Sequence, residues 1–155
     1  MVLHKLRPGL YQVRLKGVNA FLLDSDSDGL VLIDAGVASS PAQIHQAVRS
    51  LGRDVEDIRH ILITHCHPDH AGGLAELKQQ TGAQVFMHRR DAMLVSAGRA
   101  MRPLSPTPGL LNAVLYRRMI LPKPTTVTPA KTDQLIGNGD EIPVAGGISV
   151  IHTPG

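Results

Sequence analysis

The chain has 155 residues, of which 43% are hydrophobic and 19% charged, and its net charge is +3. That balance excludes a disordered tail and a collagen-like chain, and the single cysteine, Cys66, excludes an internally disulfide-bonded scaffold. No run of about 18 apolar residues is present and residues 1–8 lack the apolar stretch of a signal peptide, so one cytoplasmic domain without a membrane segment is expected.

Residues 10–15 alternate apolar and polar side chains, as a half-buried strand does. Residues 18–23 and 30–33 are apolar, β-rich runs joined by Asp24-Ser25-Asp26-Ser27-Asp28-Gly29, a sequence that predicts a hairpin. The aspartate spacing also matches the start of a calcium loop. Its twelfth position, however, is Ala35 where a bidentate acid is needed, so a polar turn is expected. Ser39-Ser40-Pro41 predicts a helix start, with serine as N-cap and proline at the first position. Ile44, Ala47, Val48 and Leu51 form its apolar stripe, and Gly52 ends it.

Residues 58–64 read as the next strand, and Ile61-Leu62-Ile63 suggests burial on both faces. Beyond a histidine cluster at 65–70, Gly72-Gly73 leads into a helix carrying Leu74, Ala75 and Leu77, stopped by Gly82. Residues 84–87 are again strand-like. This alternation of strand and helix predicts parallel strands joined by right-handed crossovers.

Residues 89–124 break the pattern. They read as two helical pieces, 91–101 and 109–119, separated by Pro103, Pro106 and Pro108, and fit either a lid or a packed helical layer. Between Arg89 and Lys131 there are eight basic residues and one acid, Asp91, so this segment carries +7 and the remainder −4. Such a segment attracts an anionic substrate, phospholipid or nucleic acid, or is a solvated helix surface. Tyr116 is its only aromatic residue, so base stacking is poorly supplied and nucleic acid is not an expected partner. Short strands are expected at 134–136, 142–144 and 148–151.

The strongest chemical signal is His65-Cys66-His67-Pro68-Asp69-His70. Imidazole nitrogens suit zinc and other borderline divalent metals, and a carboxylate widens the choice to iron and manganese. His65 and His67, two apart in extended chain, project to one side and can grip one ion, while Cys66 points the other way into packing. Pro68 turns the chain, which brings Asp69 and His70 to a neighbouring position. The cluster follows a strand and precedes a helix, where open α/β sheets place their sites. His88 is expected to cap its strand, and His4, His45 and His60 to lie on the surface.

His-x-His-x-Asp-His after an apolar strand resembles the signature of the metallo-β-lactamase superfamily. Leu32-Ile33-Asp34-Ala35-Gly36, Ile63-Thr64-His65 and Gly72-Gly73 agree with it. The final Val150-Ile151-His152-Thr153-Pro154-Gly155 resembles the strand and turn before the family's next histidine ligand. The resemblance implies an α+β fold, the four-layer αββα sandwich, with a mixed β-sheet and flanking helices. Residues 1–155 would be its N-terminal portion, C-terminally incomplete, with 89–124 a helical insertion or lid. It also implies two zinc ions, with iron or manganese as alternatives. His65 and His67 would bind the first ion, and Asp69 and His70 the second.

Asp69 would in addition be catalytic, orienting the nucleophile. Asp34 would support the ligands through hydrogen bonds, and His152 would do no more than support them, because the family uses the histidine that follows. The implied reaction is hydrolysis by a metal-activated water of an ester, thioester, lactone or related bond, as in glyoxalase II-like or lactonase-like members. The substrate would be a small molecule, anionic if the basic segment lies at the pocket mouth. Three further ligands of the family would fall beyond Gly155. The same resemblance therefore leaves three alternatives: an iron-dependent oxidoreductase of the flavodiiron or sulfur dioxygenase kind, a nuclease, and an inactive metal-binding fragment.

Overall fold

The computed structural model describes residues 3–25, 28–100, 107–120 and 125–153. Its first part is an antiparallel meander of β1 (Leu3–Arg7), β2 (Leu10–Arg14), β3 (Asn19–Ser25) and β4 (Gly29–Ile33). Hydropathy does not foresee β1, because four of its five side chains are exposed and only Leu3 packs against the core, the rest of the strand contributing backbone pairing at the sheet edge. The expected hairpin is β3–β4, with Phe21 opposite Ile33. Its turn is tied down by Asp28, whose carboxylate accepts the backbone N–H of Ala145 at 2.9 Å. Asp26 and Ser27 lie outside the described residues.

After β4 the connections become crossovers and the pairing becomes parallel. Helix α1 (Pro41–Ser50) leads to β5 (Ile58–Ile63). A four-residue helix α2 (Pro68–Ala71) and then α3 (Leu74–Thr81) lead to β6 (Gln84–His88). Helix α4 (Arg89–Ser96), helix α5 (Leu110–Leu115) and a π turn (Tyr116–Ile120) precede β7 (Gln134–Ile136). The seven strands pair in sequence order, with β4 to β7 parallel. A hairpin of β8 (Glu141–Ile142) and β9 (Ile148–Ser149) forms a separate two-stranded sheet.

The pleat of the central strands divides the core in two. Leu30, Leu32, Ile61, Ile63, Val85 and Met87 face α1, α3 and α4 in the larger cluster. Val31, Leu62 and Phe86 face the opposite side and pack with Ile142 and Val144. The strands flanked by crossovers are thus apolar on both faces, as the continuous run at 61–63 predicts. Of the four layers expected, the described residues form one helical layer, the main sheet and a two-stranded part of a second sheet.

Two local expectations change. Ser40 occupies the N-cap position of α1, but its backbone is already helical (φ −77°, ψ −23°) and its side chain makes no cap bond. A cap needs an extended residue to aim its oxygen back at the first turn, and the Ser40 hydroxyl is instead buried without a hydrogen-bond partner. Helix α4 starts at Arg89 because His88 caps it, its Nδ1 accepting the Arg90 N–H at 3.3 Å. Ala92 and Val95 bury α4 in the main core, whereas α5 is exposed. Segment 89–124 therefore joins a packed helix to an exposed one, with residues 101–106 and 121–124 outside the described part.

Candidate metal centre

The site is built on the parallel edge between β4 and β5. β4 ends at Ile33, and Asp34 follows in the left-handed region at φ +64°, only 5% exposed. That conformation costs roughly 1–2 kcal/mol for a residue with a Cβ, less for aspartate than for most. It aims the carboxylate across the sheet end. Oδ1 accepts the backbone N–H of Thr64 at 2.9 Å, and the Thr64 hydroxyl lies 3.0 Å from Oδ1 and 2.9 Å from Oδ2. Oδ2 also accepts from Nδ1 of His70 at 2.8 Å.

Thr64 passes this orientation on. Its single hydroxyl proton goes to the carboxylate, so its 3.0 Å contact with Nδ1 of His65 is one in which the imidazole N–H donates. Both His65 and His70 are thereby held with Nδ1 protonated and the Nε2 lone pair turned outward, the form in which imidazole binds a metal. The hydrogen bond to Asp34 raises the His70 pKa above the ordinary imidazole value. Burial, reinforced by the neighbouring His70 and His67, lowers that of His65.

The rings converge. Centroids of His65 and His67 are 4.6 Å apart and those of His65 and His70 are 4.1 Å apart. His67 is the extended N-cap of α2, whose first turn places Asp69 beside His70, with Oδ2 3.9 Å from Nε2. The Asp69 side chain is 42% exposed. Cys66 points away from the histidines into the main core, as the strand alternation predicts. Gly72 and Gly73 let α2 and α3 approach the 34–38 turn. A Cβ on Gly72 would stand 2.3 Å from the Pro68 carbonyl oxygen, and one on Gly73 2.5 Å from that of Ala35.

His65 and His67 open into a cleft of about 690 Å³, whose lining does not include Asp69 or His70. His152 lies in the same cleft, stacked on His88 with centroids 4.2 Å apart and planes 17° apart. Its backbone N–H is held by Asn138 Oδ1 at 3.0 Å. Aliphatic side chains, among them Ile33, Leu62, Ile142 and Val150, also line the cleft. His45 bonds Gln80, whereas His60 is half-buried against Phe86 rather than lying freely on the surface. Sequence reasoning did not assign a role to Thr64. Its one signal is a hydroxyl residue closing an apolar strand directly before a ligand candidate.

In kind, these donors fit a divalent metal: three imidazoles and a carboxylate, two of the imidazoles oriented by hydrogen bonds. In number they form part of a centre. Among the described residues, no group of three or more such side chains is arranged as a complete metal-binding set.

The family description "Metallo-beta-lactamase superfamily" matches residues 13–155. The chain belongs to that superfamily. An uncharacterized protein, YobT, of Bacillus subtilis is 32% identical over 139 residues, covering 89% of this chain and 52% of that protein. A hydroxyacylglutathione hydrolase of Albidiferax ferrireducens is 41% identical over 68 residues, covering 44% of this chain and 24% of that protein. A solved metallo-beta-lactamase of Cronobacter sakazakii with a HARLDQ motif matches with a TM-score of 0.79 at 28% identity, covering 100% of this chain and 56% of that one. The chain thus spans about half the length of YobT and of the solved enzyme. A protein of Agrobacterium fabrum named as a UPF0173 metal-dependent hydrolase is 37% identical over 81 residues, covering 52% of this chain and 33% of that protein. No helix among the described residues is long and apolar enough to cross a membrane.

Proposed function

We propose that this chain supplies the first ligands and the orienting acid of a zinc-dependent hydrolase acting on an ester, thioester or lactone. The observation that carries this reading is the coupling of His65 and His70 to one buried carboxylate, Asp34, directly and through Thr64. In this reading His65 and His67 hold one ion, and Asp69 and His70 a second. Bound there, the ions would lower the pKa of a water toward neutrality.

The protein's own groups then have distinct tasks. Asp34 fixes the imidazoles of His65 and His70 so that neither must reorient as the reaction proceeds. In this reading Asp69, beside His70 with its side chain 42% exposed, would orient the attacking water and carry a proton to the leaving group. The aliphatic lining of the cleft that holds His65 and His67 suits the hydrocarbon part of an acyl group. The basic residues of 89–131 would favour an anionic substrate through long-range attraction alone, since Asp91 is the one described residue of that segment that lines the cleft.

The test is a substrate panel on the zinc-reconstituted protein: a hydroxyacyl thioester of glutathione, a lactone, a β-lactam and a phosphodiester. Hydrolysis of a thioester, ester or lactone, abolished by chelation and by Asp69→Asn, is the expected result. Cleavage of the phosphodiester alone, or turnover only with iron and dioxygen, would overturn the reading.

A further inference from the structure

Helix α5 is folded with its apolar side outward. At about 100° per residue, Leu110, Leu111, Val114 and Leu115 share one arc of about 140°. They are 85%, 70%, 52% and 44% exposed. Ala113 and Tyr116, on the other side of the helix, are the half-buried ones. Helix α1 shows the opposite and ordinary arrangement, with Ile44, Ala47 and Val48 buried. The π turn after α5 adds exposed Arg117, Arg118 and Met119. A contiguous exposed apolar surface of this kind marks a contact site rather than a solvated face.

Charge decides among the occupants. No acidic residue occurs between Asp91 and Asp133, a stretch that contains six arginines and lysines. An isologous dimer through α5 would bring together two copies of the same acid-free segment and so offer Arg117 and Arg118 no carboxylate from that segment to pair with. Protein hot spots are enriched in tryptophan, tyrosine and arginine, and the one aromatic of α5 and its turn, Tyr116, lies on the half-buried side rather than in the exposed face. An anionic bilayer meets both demands: aliphatic side chains enter the acyl boundary and arginines pair with lipid phosphates. Eleven residues from Leu110 to Ile120 are far short of the roughly 20 needed to span a bilayer, so the helix would lie in the surface.

We propose that α5 and its arginine-bearing turn dock the protein on an anionic lipid bilayer. This inference stands apart from the hydrolase reading and survives its failure.

The experiment is co-sedimentation with phosphatidylcholine vesicles, with and without roughly one-third phosphatidylglycerol, an anionic lipid. Partitioning at least about tenfold stronger onto the anionic vesicles is expected. The double variant Arg117→Gln/Arg118→Gln should lose roughly thirtyfold. Leu111→Ser/Val114→Ser should lose at least about tenfold with an unchanged melting temperature. A Val114→Cys variant should react quickly with a maleimide, and slowly once anionic vesicles are added. Equal binding to both vesicle types overturns the proposal, as does anionic binding that ignores the Leu111→Ser/Val114→Ser change. A concentration-dependent dimer abolished by that same change assigns the face to a second copy instead. Slow maleimide reaction without vesicles assigns it to another part of the protein.

Discussion

The carboxylate of Asp34 accepts a hydrogen bond from the imidazole of His70 at 2.8 Å, although 36 residues separate them in the chain. One buried acid at the end of β4 also holds Thr64 at the end of β5, and through it the ring of His65. The parallel pairing of the two strands makes this reach possible, since it puts both C-terminal ends at the same edge of the sheet.

Replacing Asp34 should therefore separate orientation from folding. Asp34→Asn keeps the left-handed backbone but cannot accept from Thr64 and His70 as a carboxylate does. Zinc affinity should fall about 10–100-fold and stability by about 2 kcal/mol. Asp34→Ala should cost about 1 kcal/mol more, because alanine tolerates φ +64° poorly. Zinc competition and urea unfolding check both, and an unchanged zinc affinity in Asp34→Asn would remove Asp34 from the orienting role.

Cys66 and His67 adjoin in sequence and face opposite ways, so their substitutions should have opposite signatures. Cys66→Ser puts a hydroxyl into the main core, where Cys66 is 2% exposed, and should cost about 1–3 kcal/mol with metal binding retained. His67→Ala should leave the melting temperature of the metal-free protein nearly unchanged while weakening zinc binding further. Thermal melts with and without zinc distinguish the two patterns. A shared pattern would mean that Cys66 and His67 do not face opposite ways.

The same alternation explains which parts of the molecule are legible in the sequence. β4, β5 and β6 are buried on both faces, so their apolar runs declare them, and the ligand cluster follows directly from the end of β5. β1 carries no such run, because beyond Leu3 this edge strand contributes backbone pairing rather than core. α2 escapes notice because four residues are too few for a helical period, and its reality lies in the His70 and Ala71 N–H bonds to the His67 carbonyl. The Asp34–His70 bond has no local signal at all, and only the family resemblance pointed to Asp34. In α5, periodicity tells which side chains share a face but not which way that face points. The Ser40 cap failed for a related reason, since residue type was right and backbone conformation was not.

Close approach sets a further limit at Gly72. A Cβ there would stand 2.3 Å from the Pro68 carbonyl and 2.7 Å from the Ala38 amide nitrogen, both backbone atoms that cannot swing aside. Gly72→Ala should push α2 off the 34–38 turn, costing about 3 kcal/mol, at the upper end of typical overpacking. Because that movement carries His70 away from Asp34, zinc affinity should fall together with stability. Equilibrium unfolding and zinc titration on one preparation measure both. Loss of stability alone would show that the turn yields instead of the helix.

Asp133 supplies the pH-dependent prediction. Its Oδ2 accepts the Val85 N–H at 2.8 Å and the ammonium of Lys78, while its own N–H bonds the Val85 carbonyl at 3.0 Å, so it closes the ladder where β7 joins β6. Burial pushes this carboxyl up. The Lys78 hydrogen bond, the Val85 amide and the lysine charges outweigh that effect and hold it below the ordinary aspartate value of 3.8. A carboxyl depressed in the folded state binds its proton more readily when unfolded. Its contribution is thus present above the unfolded value and is lost as pH falls through the folded one. The side chain is 31% exposed, so solvent screening limits the effect to about 1 kcal/mol. Asp133→Asn should therefore be less stable than the parent by about that amount near pH 7, with the gap narrowing toward about pH 3. Urea unfolding at the two pH values decides it, and a gap that widened on acidification would show that the Lys78–Asp133 pair is not what anchors β7.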